Sequence, residues 1–263
     1  MKLGCCSRSY HHTMEAGRMD FDEWLRLCAE ELAVDGVDII AEQMPKRTKR
    51  YWIDTKKRCL DLQLTVISLS PSNNFGKPTK AGRQREVDNI LRWIEAASIL
   101  GAPCLRIFAG WPPPEAKAAL WGAMVGCIRR VARAAGQAGI TVVVEPRNTG
   151  GFLPDSRTTI KLIREVESPW VAINLDTGNY HEADMYAGIE ASLPLARHVV
   201  AKIHRLGPDG EEQDLDYGEI FDILQSHRYR GFVTVEYEGQ LDERQGVAAA
   251  VQMLRRHAAC HTV

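Results

Sequence analysis

The chain has no apolar run approaching the roughly 18 residues that a helix needs to cross a bilayer, so no membrane partner is expected. Its first residues, MKLGCCSRSYHH, lack the long apolar stretch of a secretory signal. There is no excess of positive charge either. Lys and Arg number 33 against 34 Asp and Glu, a formal net charge of −1. With no basic surplus to follow a phosphate backbone, nucleic acid is not expected as a partner. The seven cysteines, at 5, 6, 28, 59, 104, 127 and 260, form no CxxC pair, and their count is odd. That spacing argues against a thiolate zinc site and against a disulfide framework. Cys28, Cys104 and Cys127 fall in apolar-periodic segments, where a thiol behaves as a small core residue. The expectation is a reducing, cytoplasmic compartment. No linker, low-complexity stretch or short repeat interrupts the 263 residues, and no phosphate-cradling glycine loop stands out. A single domain spanning 1–263 is expected, with room for a homo-oligomer.

What the chain does have is alternation. Short apolar runs suited to strands occur at 2–6, 36–40, 64–70, 103–108, 140–145, 171–176, 198–204 and 232–238. Helical patterns lie between them. DFDEWLRLCAEELAVDG opens on Asp20 as an N-cap with Glu23 three residues on, and stops at Gly36. Apolar residues at 87, 90, 91, 94, 97 and 100 keep a 3.6-residue period. Asp155 or Ser156 caps the helix of DSRTTIKLIREVES, and Pro194 blurs the sixth helix. Eight strand–helix units in about 250 residues predict the α/β class and a (β/α)8 TIM barrel, with a doubly wound sheet as the alternative.

In a barrel of this kind the active site lies at the carboxyl ends of the strands. The fifth strand ends on Glu145 in VVVEPRNTGG, the sixth on Asp176 in INLDTGNYH, and the eighth carries Glu236 and Glu238 in VTVEYEG. The fourth carries Arg106, the seventh Lys202 and His204, and the third loop Asn73 and Asn74 in SNNFG. Each acid alone also reads as a solvated loop residue or a turn former. Three of them after three apolar runs would repel one another unless a cation binds or some stay protonated. A divalent cation is the expected answer, Mn2+ or Mg2+ from the oxygen-rich donor set, with Co2+ or Zn2+ as alternatives. Val200, Lys202 and His204 alternate onto one face. His204 is therefore either a fourth ligand or a loop residue beyond the strand.

SNNFG, LRIFAG, VVVEPRNTGG, NLDTGNY and YRGFVTVEYEG resemble the xylose-isomerase-like TIM-barrel superfamily of sugar phosphate isomerases and epimerases, over nearly the whole chain. The resemblance implies one divalent metal on Glu145, Asp176 and Glu236, with the two glutamates as an acid/base pair. It also implies substrate contacts from Arg106 and Lys202. The family histidine two residues before that lysine is here Val200. Either His204 substitutes for it, or water completes a three-residue shell, or the metal is lost.

The expected function is a metal-dependent sugar or polyol-ketone isomerase or epimerase. Proton transfer by Glu145 and Glu236 would pass through an enediolate. Arg106, Lys202, Asn73, Asn148 and His181 would hold substrate hydroxyls, and Trp111 would form an apolar wall. The alternatives are an inosose-type dehydratase using the same site, and a degenerate barrel with a binding role.

Overall fold

The computed structural model describes residues 1–147 and 150–260. Eight parallel strands close on themselves in sequence order. They are β1 (Lys2–Cys6), β2 (Gly36–Ile40), β3 (Thr65–Ser70), β4 (Cys104–Phe108), β5 (Thr141–Glu145), β6 (Val171–Asp176), β7 (Ala196–Ile203) and β8 (Phe232–Tyr237). The helices are α1 (His11–Glu15), α2 (Phe21–Glu30), α3 (Lys49–Asp61), α4 (Lys80–Leu100), α5 (Lys117–Gln137), α6 (Ser156–Val166), α7 (Met185–Ser192), α8 (Tyr217–Ser226) and α9 (Glu243–Cys260). β1 closes the barrel by pairing with β8, Gly4 opposite Thr234. The fold is the TIM barrel that the alternation predicts, and the doubly wound alternative falls with the β1–β8 closure. Among the described residues no helix is long and apolar enough to cross a membrane.

Local chemistry explains most boundaries. Asp20 accepts from the Glu23 N–H at 2.7 Å while Glu23 accepts from the Asp20 N–H at 2.7 Å, a complete capping box. That helix stops at Glu30 rather than running to Gly36, and Ala33 just beyond takes a left-handed φ of 47°. Asp155, not Ser156, caps α6, accepting from Thr158 N–H at 2.6 Å. α1 follows β1 after a 3-10 turn at Ser7–Tyr10 and was not expected from the sequence.

The main core lies between the barrel and its helices, with Trp24, Phe75, Phe152 and Phe221 fully buried. A second, small cluster of Cys104, Val143 and Ala172 lies apart from it. Side chains alternate along a strand, so these three share the inner face with Arg106, Glu145 and Asp176 two or four residues further on. The inner face is thus apolar at its base and charged towards its mouth. Gly4 permits the close packing at the base, since a Cβ there would meet Ile67 Cδ1 at 2.4 Å. All seven cysteines are free.

Candidate active site at the carboxyl ends of the strands

β2, β4 and β5 build one side of the mouth. Glu145 is 7% exposed. Asn174 donates to its Oε2 at 3.0 Å and Asn179 to its Oε1 at 3.3 Å, while Arg106 Nε lies 3.4 Å from Oε2. Burial pushes the Glu145 carboxyl up to about 7; Arg106 pulls the other way but does not prevail, and Asp176 and Glu236 add to the rise. The Arg106 guanidinium lies over the Phe108 ring, 4.1 Å from its centre, and Nη1 has no hydrogen-bond partner among the described residues. Asp38 stands inside β2, accepting from Ser70 Oγ at 2.8 Å. Burial pushes it up to about 7 as well, against Arg106 and Ser70.

β6, β7 and β8 build the other side. Lys202 Nζ donates to Glu236 Oε1 and lies 3.3 Å from Asp176 Oδ2 and 3.7 Å from Glu238 Oε2. Burial alone would push its ammonium down; Asp176 and Glu236 hold it well above the ordinary lysine range. Burial likewise opposes charge on Glu236, but Lys202 outweighs it and keeps that carboxyl below its usual value. Asp176, completely buried, stays raised by burial despite Lys202. The backbone of Lys202 is fixed on both edges. Its N–H donates to Thr177 Oγ1 at 3.0 Å, and its carbonyl accepts from Tyr217 OH at 2.7 Å. Gly178 lets the β6 loop lie against the lysine stem, where a Cβ would meet Lys202 Cγ at 2.5 Å.

This arrangement answers how buried carboxylates are tolerated. Arg106 and Lys202 supply positive charge, and the acids on the Arg106 side lean towards protonation. A divalent metal fits the residues poorly as they stand. Asp176 Oδ2 is buried, and the Lys202 ammonium already lies against both it and Glu236. Among the described residues, three metal-ligating atoms come within 4.8 Å of one another only at His11, His12 and Glu243.

The structure gathers Arg106, Glu145, Asp176, Lys202 and Glu236 at one mouth. His204 stands at the edge of this group, its Nε2 3.4 Å from where a Gly178 Cβ would sit, beside the Lys202 stem. β7 ends at Ile203, the His204 N–H donates to Glu212 Oε2 at 3.0 Å, and the residue is exposed, so strand alternation no longer sets its direction. Asn73 is buried, and its amide clamps β4: Nδ2 donates to the Phe108 carbonyl at 2.7 Å, and Oδ1 accepts from Phe108 N–H at 2.8 Å. Its neighbour Asn74 accepts from Gly76 and Trp111 N–H groups, both at 2.8 Å. Gly110, at φ 107°, leaves room for that loop contact. His181 is exposed in the β6 loop. Asn148 lies outside the described residues. Trp111 lines a small pocket with Phe108, Glu145, Arg147 and Phe152 beside the mouth.

An acid and a histidine buried inside the strands escaped the sequence reading, along with polar residues such as Asn174. The acid is Asp38, whose signal was a charge in the middle of the apolar run GVDII. The histidine is His198, on the same β7 face as Val200 and Lys202. It bonds Thr234 Oγ1 through Nε2 at 2.8 Å, and burial pushes it down to about 4, so the imidazole is neutral.

A closed parallel barrel with its ionisable residues gathered at the carboxyl ends of the strands has the layout of a TIM-barrel enzyme site. The family model described as xylose isomerase-like TIM barrel matches residues 11–257, and the chain belongs to that family. Similar curated proteins include two named as putative hydroxypyruvate isomerases. The mouse protein is 28% identical over 165 residues, 58% of this chain and 60% of its own length. The human protein is 24% identical over 205 residues, 71% of this chain and 74% of its own. Among solved structures, an L-ribulose 3-epimerase superposes with a TM-score of 0.82 at 18% identity, covering 99% of this chain and 95% of its own. At that identity the likeness shows the fold.

Proposed function

We propose that this chain is a sugar-type isomerase or epimerase, moving a proton on a small α-hydroxy carbonyl compound through an enediolate. Hydroxypyruvate, the compound in the names of the mouse and human relatives, is one such molecule. The observation that carries the proposal is a pair of glutamates of opposite proton affinity, Glu145 buried and Glu236 half-buried, flanking two cations. Glu145 is raised to about 7, Glu236 is lowered, and Arg106 and Lys202 lie beside them.

Each group has a task in this scheme. The Lys202 ammonium and the unpartnered Arg106 Nη1 take the substrate's carbonyl and neighbouring hydroxyl oxygens, and stabilise the negative charge that grows there. Glu236, ionised at neutral pH, accepts the proton from the carbon bearing the hydroxyl. The C–H electron pair becomes the enediolate double bond, and the carbonyl pair moves onto oxygen. Protonated Glu145 then delivers a proton to the former carbonyl carbon for isomerisation, while the hydroxyl proton passes from the first oxygen to the second and a carbonyl forms on the first carbon; for epimerisation it delivers the proton to the opposite face of the original carbon and the oxygen pair returns to the carbonyl. Solvent restores both resting states. His181 and Asn148 complete the substrate contacts from the loops after β6 and β5. Because Lys202 lies where a divalent ion would bind, no step is assigned to a metal.

The test is solvent-deuterium incorporation, followed by NMR with hydroxypyruvate and a panel of ketoses. Exchange that is lost in Glu145→Gln and Glu236→Gln supports the scheme, and absence of exchange with every substrate sinks it. A chelator arm places the electrophile. Exchange that survives dialysis against EDTA assigns it to Lys202 and Arg106. Loss restored by Mn2+ or Mg2+ assigns it to a metal on Glu145, Asp176 and Glu236.

A further inference from the structure

Outside the mouth, one cluster of ligating side chains takes no part in the proposed reaction. His11 and His12 open α1, just after β1, and Glu243 opens α9, just after β8. One ligand atom from each lies within 4.8 Å of the others. The carboxylate is 8% exposed and held in place, with the His12 N–H donating to Oε1 at 2.9 Å and the Thr13 N–H to Oε2 at 2.8 Å. The His11 ring is oriented too, its Nδ1 lying 2.8 Å from the Arg8 carbonyl and 3.5 Å from Glu243 Oε1. The His12 ring packs against it, with ring centres 3.7 Å apart. Among the contacts found for this carboxylate there is no lysine or arginine, which sets it apart from the acids at the mouth.

We infer that His11, His12 and Glu243 bind a divalent transition cation of the Zn2+, Co2+ or Ni2+ type. Two imidazoles and one carboxylate favour these ions over Mg2+ or Ca2+, which prefer oxygen donors. Bonds of about 2.0–2.2 Å need donor atoms about 3–3.5 Å apart, so the cluster must contract by about an ångström. Exposed His12 is free to swing in, whereas Glu243 is already fixed. Backbone N–H groups on the carboxylate are the kind of outer support that ligands of a bound metal receive. The three ligands come from opposite ends of the chain and meet at the β1–β8 seam that closes the barrel. The bound ion is therefore a staple across that seam, independent of the proposed isomerisation.

The experiment uses tag-free protein stripped with EDTA. Zn2+ is titrated by calorimetry, Co2+ by its visible spectrum, and thermal unfolding is measured with and without Zn2+. One Zn2+ per chain is expected, with a higher Tm when it is bound. His12→Ala, an exposed change that spares the fold, should weaken affinity about tenfold or more, since even the loss of an outer support costs that much. Glu243→Gln should do the same, while Glu145→Gln and Asp176→Asn should leave binding intact. No Zn2+ binding, binding indifferent to His12→Ala, or binding lost with the mouth variants overturns the inference.

Discussion

The two sides of the barrel mouth solve the same problem in opposite ways. On the β7–β8 side, Glu236 meets an ammonium directly and stays charged. On the β4–β5 side, among the described residues, Glu145 meets a guanidinium through Nε at 3.4 Å and accepts from two asparagines. Burial is severe on both sides, so the quality of the cation contact decides the outcome. One carboxyl becomes a fixed anion and the other a group poised near neutrality. Rate enhancement by acid and base needs such a split, because a single environment cannot favour both forms.

The harshest way to break the comparison is Lys202→Met. It leaves Asp176 and Glu236 buried without their cation, and breaking a buried pair from one side costs about 3–5 kcal/mol. Urea unfolding at pH 7 should show a loss of that order. Glu236 should then titrate upward, towards the range of Glu145, and part of the lost stability should return as pH is lowered to 5. A stability loss under about 1 kcal/mol would mean that the ion pair is not holding this side.

A smaller effect separates the sides by pH. With its folded value near 7 and its unfolded value near 4.5, Glu145 holds a proton in the native chain that the unfolded chain has released between those limits. Native stability therefore falls as pH rises through that window, by about 3 kcal/mol in order of magnitude. Asp38 acts in the same direction. Glu145→Gln removes its share, so the variant should gain on the parent between pH 5 and pH 7.5 in paired unfolding curves. The same substitution should slow deuterium exchange by at least about 100-fold. If the parent's stability rose with pH faster than the variant's, the assignment of Glu145 as the protonated partner would be wrong.

Much of this site could be read from the chain because strand ends are local signals. β1, β2 and β6 begin and end where the apolar runs do, and Glu145, Asp176 and Arg106 follow from those runs. The cations inside the mouth were harder to read, for a physical reason. Counting the acids suggests an ion from outside, while the pairing of Lys202 with Glu236 depends on β7 and β8 lying in register, Lys202 opposite Glu236. Asp38 and His198 were missed because an inner face is known only after closure. The partners of Asn73 on the backbone of β4, 35 residues away, could not be read from its own segment. Glu243 and His12 are separated by 231 positions, and only the β1–β8 seam joins them.

The finest probe of the comparison is Ser70→Ala, which touches the Arg106 side alone. Ser70 Oγ donates to Asp38 Oδ1 at 2.8 Å, and that bond favours the ionised carboxylate. Removing it should push Asp38 above its value of about 7 and leave Glu236, tied to Lys202 across the mouth, where it is. The cost should be about 1 kcal/mol where Asp38 is charged, and less where it is already protonated. Unfolding free energies of parent and variant, compared at pH 8 and pH 6, should therefore differ more at the higher pH. A difference that is equal at both, or larger at pH 6, would show that Asp38 does not change charge in this range and that the β2–β4 side is as fixed as its opposite.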